Sequence, residues 1–578
     1  MFSTPNQSPS ALSPLLATLN PEQSAAVTLP AEHALILAGA GSGKTRVLTT
    51  RIAWLLQNGY VGPGGILAVT FTNKAAKEMV ARLSAMLPVN VRGMWIGTFH
   101  GLCNRFLRAH WKLAGLPQSF QILDTADSLS AVKRVMKAMN VDEERFVPKQ
   151  VSWFIAARKD NGERPKDVDA HDPQTRKMVE IYQAYEDQCQ REGVVDFAEL
   201  MLRTYELMRD NAALREHYQH RFAHILVDEF QDTNRLQYAW LKMFAPPGSH
   251  QSVFAVGDDD QSIYAFRGAQ VGNMADFERE YRVKQVIKLE RNYRSSQPIL
   301  DASNAVIAQA AERHAKTLWT PRTTGPRPQL VTVADELAQA RWVADAALAR
   351  REEGVVLKQQ AVLFRTGSHS AALELELARR QIPFVKYGGL KFLEAAHIKD
   401  LLAVLRWGQN PRCMLAAWRA AQLVPGLGPR GARRLVDALA AADDPRAALA
   451  AFQPPPAARA DWPALATLVQ QLQSPCSPWP TELDAVRAWY TPHLERLHGD
   501  SAALRQLDLD QLQRLAALQP GRERFLTELT LDPPEATSDE SGVPHQDEDY
   551  LILSTIHAAK GQEWDAVTVL NVIDGCMP

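Results

Sequence analysis

The stretch His33–Arg46, HALILAGAGSGKTR, decides how the chain is read. Ala34-Leu35-Ile36-Leu37-Ala38 is a short apolar run of the kind that forms a buried strand. It feeds a glycine-rich turn and then a helical pattern from Arg46 to Leu56. Strand, turn and helix N-terminus together make a phosphate cradle, because backbone N–H groups and the positive end of the helix dipole face the anion. Ala38, Gly39, Ala40, Gly41, Ser42, Gly43, Lys44, Thr45 and Arg46 are therefore the candidate nucleotide ligands. Lys44 is placed to reach the β- and γ-phosphates, and the Thr45 hydroxyl to hold Mg²⁺. Ala38 stands where the GxxxxGK[ST] pattern has its first glycine, and it is small enough to fit.

The 578 residues are too many for one core and predict about three or four domains. A hydrophobic content of 46% with 22% charged residues describes a globular chain, and a formal net charge of −1 leaves nucleic-acid binding to local patches. The five cysteines are scattered, with no CxxC pair, which argues against a disulfide framework or a cysteine-rich metal site. No apolar run approaches the roughly 18–20 residues of a membrane helix, and the N-terminal stretch is polar. The expectation is a soluble cytoplasmic protein with no membrane partner and a disordered N-terminus over 1–14.

Other apolar runs end in polar or aromatic residues. Asn20 and Pro21 open a helix that carries Gln23, whose amide has the donor and acceptor to read an adenine edge; taken alone it is a solvated helix residue. Ile66–Phe71 is a strand followed by Thr72, Asn73 and a helix through Leu83. Met94–His100 is another, with Thr98 and His100 at its end. Function in an open parallel sheet sits at the carboxyl ends of the strands, so Phe71, Asn73, Thr98 and His100 are candidate substrate contacts or ordinary strand caps. Ala109 to Gly193 is helical and charged, without strand signals.

Ala223–Glu229 is a strand ending in two acids. Asp228 is placed to bind Mg²⁺ and Glu229 to activate water, and alternation along a strand points the two in different directions. Ser252–Gly257 leads to Gln261, a neutral amide suited to sense a γ-phosphate, and to Tyr264 and Phe266, which either stack on bases or pack in the core. After Val286–Leu289, Arg294 suits charge neutralisation of a transferring phosphoryl group, and Tyr293 suits stacking on a base.

In this order, Leu19–Gln23, AGAGSGKT, AVTFTNKAAKEM, GTFHGL, ILVDEFQDTN, VGDDDQSIYAFRGA and LERNYRSS resemble the motif series of the superfamily 1 DNA helicases of the UvrD/Rep/PcrA type. The resemblance implies an α/β fold of two RecA-like P-loop motor domains, parallel sheets flanked by helices, each with a helical insertion. It implies an ATP-driven 3′→5′ translocase on single-stranded DNA and at single-strand/duplex junctions, near the nucleoid and in DNA repair, replication restart or recombination. Lys44, Glu229, Gln261 and Arg294 would be catalytic. Thr45 and Asp228 would hold the metal, and Gln23 and Tyr293 the adenine. Phe71, Thr72, Asn73, Thr98, His100, Tyr264 and Phe266 would meet DNA.

Gln360–Arg365 and Pro383–Gly389 resemble the start of the second motor domain, and residues from about 401 to 545 its insertion. Within the insertion, Leu423–Arg430 resembles a glycine loop for duplex phosphate. Tyr550–His557 resembles the fifth motif, with Thr555 and His557 on DNA and Glu563 on the nucleotide. Gln562 replaces the usual leucine, and Phe266 a frequent tryptophan.

The expected domains are an ATP-binding domain over 15–297, with its insertion at about 109–195, and a C-terminal domain over 298–578. The latter is expected to be incomplete, because the family's sixth motif, with its arginine, is not found. That absence keeps open a non-catalytic, nucleotide-gated DNA-binding protein. A small-molecule P-loop kinase is disfavoured, since it needs no second motor domain. A helicase–nuclease fusion is disfavoured by the lack of a following acidic cluster.

Overall fold

The computed structural model describes residues 14–88, 90–91, 93–310, 313–387, 393, 395–474, 478–499, 502–531 and 549–577. The expected disordered N-terminus (apart from residue 14), Gly388, Gly389 and most of the linker after Leu531 lie outside these residues. The strands are β1 (Ala34–Ala38), β2 (Ile66–Thr70), β3 (Trp95–Thr98), β4 (Gln121–Ile122), β5 (Val194–Val195), β6 (His224–Val227), β7 (Ser252–Gly257), β8 (Gln285–Leu289), β9 (Gln360–Phe364), β10 (Phe384–Tyr387), β11 (Leu551–Thr555) and β12 (Ala566–Val569). The chain divides into two compact units. One comprises Met1–Gln118, Val135–Ala184 and Asp196–Gln329; the other comprises Ser119–Arg134, Tyr185–Val195 and Leu330–Pro578.

In the first unit a six-stranded sheet has the order β3-β2-β6-β7-β1-β8, parallel throughout. A parallel sheet with both faces covered needs strands that are apolar along their whole length. β1, β2, β6 and β7 are buried at every position, which is why they read as continuous apolar runs and not as alternating ones. Ile36, Ala68, Leu226 and Val256 pack in one cluster with Val47, Ile52 and Met79 from the helices Lys44–Gln57 and Asn73–Met86. Because all six strands point the same way, every motif that follows a strand emerges on one edge of the sheet.

The second unit holds a parallel sheet of order β10-β11-β9-β12. Leu551, Leu553, Val362 and Phe364 from its strands pack against Val343 and Ala347 of the helix Glu336–Glu352. A separate helical core gathers Trp407, Leu435, Leu465, Tyr490 and Phe525 between Ala395 and Leu529. Among the described residues no helix is long and apolar enough to cross a membrane.

Three expectations need correction. The stretch 109–193 contains β4, whose parallel partner β5 follows directly at Val194–Val195, and each of these strands is two residues long, too short to show a period-2 pattern. The third strand stops at Thr98, whose side chain caps the helix Phe99–Ala109, so His100 lies in that helix's first turn and not on a strand. The strand before the acid pair stops at Val227. Glu229 has φ 49°, in the left-handed region, and opens a short turn over Phe230–Asp232. Asp228 and Glu229 therefore diverge because the backbone turns there, and strand alternation is not the cause. A non-glycine residue held in this region costs about 1–3 kcal/mol, supplied by the surrounding fold, and such residues cluster at active sites.

Candidate active site

The helix Lys44–Gln57 starts from Gly43, which has φ 88° and no side chain to cap the helix. The loop before it is pinned from several sides. The Gly39 amide donates to the Leu289 carbonyl at 3.2 Å, and Ser42 Oγ donates to the Gly39 carbonyl at 2.7 Å. Asn292 Nδ2 donates to the Ala40 carbonyl at 2.6 Å, and the Tyr293 amide donates to the Gly41 carbonyl at 2.9 Å. Gly41 has φ 65°, and a Cβ there would lie 2.7 Å from Asn292 Nδ2 and 2.8 Å from Arg294 Cβ, so side chains from the end of β8 close on the loop.

Lys44 Nζ is the centre of the site. It donates to Gln261 Oε1 at 3.1 Å and pairs with the Glu229 carboxylate at 3.3 Å. Three strand ends thus converge: β1 supplies Lys44, β6 supplies Glu229 and β7 supplies Gln261. Gln231 Nε2 donates to Glu229 Oε2 at 2.6 Å and fixes that carboxylate. Gln231 Oε1 accepts from the Asp258 amide at 2.9 Å, tying the β6 end to the β7 end. Gln261 Nε2 donates to Asp258 Oδ2, so its carbonyl oxygen is left facing Lys44. Asp228 is buried, and its Oδ1 accepts from the Glu229 amide at 3.0 Å.

Gln23 is 1% exposed. Its Oε1 accepts from the Asn20 amide in a reciprocal helix cap, and its Nε2 donates to the Ser42 carbonyl at 2.8 Å. A buried amide whose two ends are both used is a brace for the phosphate loop, which its helical spacing alone did not indicate. Asn20 Nδ2 donates to the Tyr293 hydroxyl at 3.0 Å, and the Tyr293 ring is half exposed beside the Arg291 guanidinium, 5.1 Å from its centroid.

The candidate DNA contacts separate by exposure. Tyr264 is only 9% exposed and stacks on Phe71 with centroids 5.2 Å apart and planes 24° apart, whereas Phe266 is 66% exposed. Thr72 caps its helix by accepting from the Ala75 amide, and Asn73 is that helix's first residue. Thr98 Oγ1 accepts from the Gly101 amide at 3.1 Å. Burial pushes the His100 pKa down to about 4, so its imidazole is neutral at pH 7; it meets the Phe197 ring edge-on at 5.7 Å. Thr555, His557 and Glu563 belong to the second unit, where Thr555 Oγ1 accepts from the Ala558 amide at 3.3 Å.

One positioning residue escaped the sequence reading. Asn292 is 1% exposed; besides holding Ala40, its Oδ1 accepts from the amides of Arg294 and Ser295 at 2.8 and 2.7 Å. It lies inside a motif of the sequence, but its Ala40 partner is a backbone carbonyl 252 residues away, a contact that no spacing pattern reports.

The profile described as UvrD/REP helicase N-terminal domain matches residues 19–282, and that described as UvrD-like helicase C-terminal domain matches 287–442. The chain is 40% identical to DNA helicase II of Haemophilus influenzae, a match covering 98% of this chain and 80% of that protein. It is 47% identical to DNA helicase II of Escherichia coli over 68% of this chain and 54% of that protein. It is 38% identical to the ATP-dependent DNA helicase PcrA of Staphylococcus epidermidis over 73% of this chain and 58% of that protein. The chain therefore spans little more than half the length of the last two. With both family profiles matched in series and a relative aligned over most of its length, the chain belongs to the UvrD/Rep helicase family.

Proposed function

We propose that the chain is an ATP-dependent 3′→5′ DNA helicase motor that works on single-stranded DNA and at single-strand/duplex junctions in the cytoplasm, near the nucleoid. The observation that carries this reading is the Lys44 ammonium held between Glu229 and Gln261 at the rim of a glycine cradle. A cation, a carboxylate and a neutral amide from three strand ends are the parts needed to hold a phosphoryl group, activate water and sense the bond. Lys44 binds phosphate, Glu229 takes the proton of the attacking water, and Gln261 and Arg294 respond to the γ-phosphate. Gln23, through the second N–H of the amide that braces Ser42, and Tyr293 serve the base, the Ala38–Arg46 backbone cradles the phosphates, and Glu563 is a further nucleotide contact.

The Thr45 hydroxyl and the Asp228 carboxylate are hard oxygen donors of the type Mg²⁺ takes, and the metal would neutralise phosphate charge there. DNA crosses Phe71, Thr72, Asn73, Thr98, His100, Tyr264 and Phe266 on the first unit, and Thr555 and His557 on the second.

ATP hydrolysis with and without single-stranded DNA tests the reading, alongside unwinding of a 3′-tailed duplex. Stimulation by DNA is the expected result. Nucleotide-dependent DNA binding without any hydrolysis would instead establish a non-catalytic, nucleotide-gated binder. Phe266→Ala should weaken single-strand binding by about 1–3 kcal/mol, the worth of one stacked base, with ATP affinity in the absence of DNA unchanged. Tyr264→Ala should act through the ring it supports, Phe71, and an equal loss in a Tyr264/Phe71 double variant would show the pair working as one platform. Measured DNA affinity that is indifferent to Phe266 would remove it from the contact set.

A further inference from the structure

Next to the catalytic cluster lies a buried charge centre with no role in the scheme above. Asp258, Asp259 and Asp260 follow β7 in sequence, and their carboxylates converge closely enough to resemble a cation site. The centre of that convergence is filled by a side chain. Lys316, whose side chain is 1% exposed, places Nζ 2.8 Å from Asp258, 2.5 Å from Asp259 and 2.8 Å from Asp260. Arg313 adds a two-pronged pair to Asp260 at 2.8 and 2.7 Å, and its Nη2 also donates to the Lys316 carbonyl at 3.0 Å. The His314 ring and backbone amide both address Asp259. Burial works against the Lys316 ammonium, but the three carboxylates outweigh it and hold its pKa above the ordinary lysine value.

The same segment reaches the phosphate loop by a second path. The Trp319 carbonyl accepts from the Asn292 amide at 2.8 Å, and Asn292 is the residue that holds Ala40 and Arg294. Leu318 packs so tightly on Gly39 that a Cβ there would lie 2.2 Å from its Cδ2.

We propose that Lys316 is a positioning residue of the nucleotide site: it anchors Asp258, which orients the Gln261 amide so that its oxygen faces Lys44. The chain of contacts runs from Lys316 Nζ to Asp258 Oδ1, from Gln261 Nε2 to Asp258 Oδ2, and from Lys44 Nζ to Gln261 Oε1. Without the ammonium, three adjoining carboxylates repel one another and Asp258 loses its fixed place. The Gln261 amide then loses the carboxylate that sets which of its two ends faces Lys44, and a sensor out of place fails in turnover before it fails in binding. The inference rests on the ATPase reading given above.

The test uses the full chain with single-stranded DNA. Lys316→Met should lower kcat for ATP by about 10–100-fold, the usual cost of losing a group that orients a functional residue, with KM changed less than about threefold. Asp258→Asn, which cuts the link but leaves Lys316 paired with Asp259 and Asp260, should show the same split and guards against a Lys316 variant that does not fold. In a Gln261→Ala background, Lys316→Met should cost little more, because it acts through that amide. Overturning results are a kcat for Asp258→Asn equal to that of the unmodified chain, or losses that simply multiply in the double variant. An unmodified chain that neither binds nor hydrolyses ATP would overturn the function proposed above and this inference with it; an active parent with indifferent variants would overturn this inference alone.

Discussion

Replacing Glu229 by Gln is expected to leave nucleotide binding in place and to lower ATP turnover by about 10²–10⁴-fold, the usual worth of a general base. Glutamine keeps the length and planar end of the side chain, so one of its atoms can still accept the 2.6 Å hydrogen bond from Gln231. It is also no harder to hold at φ 49° than glutamate, since neither is β-branched. What disappears is the basic oxygen and the ion pair to Lys44. Freed from that pair, Lys44 should if anything hold phosphate more firmly, so affinity for a non-hydrolysable ATP analogue should hold or rise. Lys44→Ala inverts the pattern: the phosphate loses its cation, and binding itself should fail. Single-turnover hydrolysis together with fluorescence titration of an ATP analogue separates the two. Glu229→Gln turning over at the parental rate would falsify the assignment of the base.

Much of this site is legible in the sequence because its parts are written at the ends of continuous apolar runs. Lys44, Asp228, Glu229 and Gln261 each follow a strand buried on both faces, and a fully parallel sheet brings the ends of such strands to one edge. The parts that stayed hidden are those defined by a partner. Lys316 sits in an irregular segment with no periodicity, and Asp259, one of its three carboxylate partners, is 57 residues away. Gln23 and Asn292 bond to backbone carbonyls, which carry no sequence identity. Tyr264 and Phe266 read as equivalent because they are two residues apart, yet a short turn over Ala265–Arg267 leaves one ring under Phe71 and the other exposed. The left-handed backbone at Glu229 was hidden for a different reason: it belongs to a residue type that rarely adopts it, so only the surrounding fold dictates it.

Lys159→Met is expected to be the most destabilising single change at the charged interior of the first unit. Lys159 is 1% exposed, and its Nζ lies 2.9 Å from Asp196 Oδ2 and 2.9 Å from Glu199 Oε2. Glu199 is shared further with Arg164 at 2.9 Å and Arg203 at 2.7 Å, and these cations outweigh burial and hold its carboxyl well below the usual range. Removing one partner of a buried pair costs about 3–5 kcal/mol, because the other charge stays behind uncompensated. Glu199 keeps two arginines, so the loss falls mainly on Asp196 and on neighbouring Asp160.

Asp160 is already strained electrostatically. Burial and then the Asp196 charge push its pKa up to about 6, and its Oδ1 accepts from Asn234 Nδ2 at 3.3 Å, just past the acid pair. A folded pKa above the unfolded value of about 3.9 means that its protonated form favours the fold: that contribution is complete below about pH 4 and is lost as pH rises through 6. Without Lys159 these two carboxylates gain still more from protonation. The deficit of Lys159→Met should therefore be largest at pH 7.5, lowering the midpoint of thermal unfolding by on the order of 10 °C, and should shrink by pH 5. Asp160→Asn, which removes the repulsion for good, should raise the midpoint at pH 7.5 and do little at pH 4. Thermal melts of the two variants across that pH range decide the matter: a deficit that stays constant or grows on acidification would mean that Lys159 matters through its packed methylenes and not through its charge.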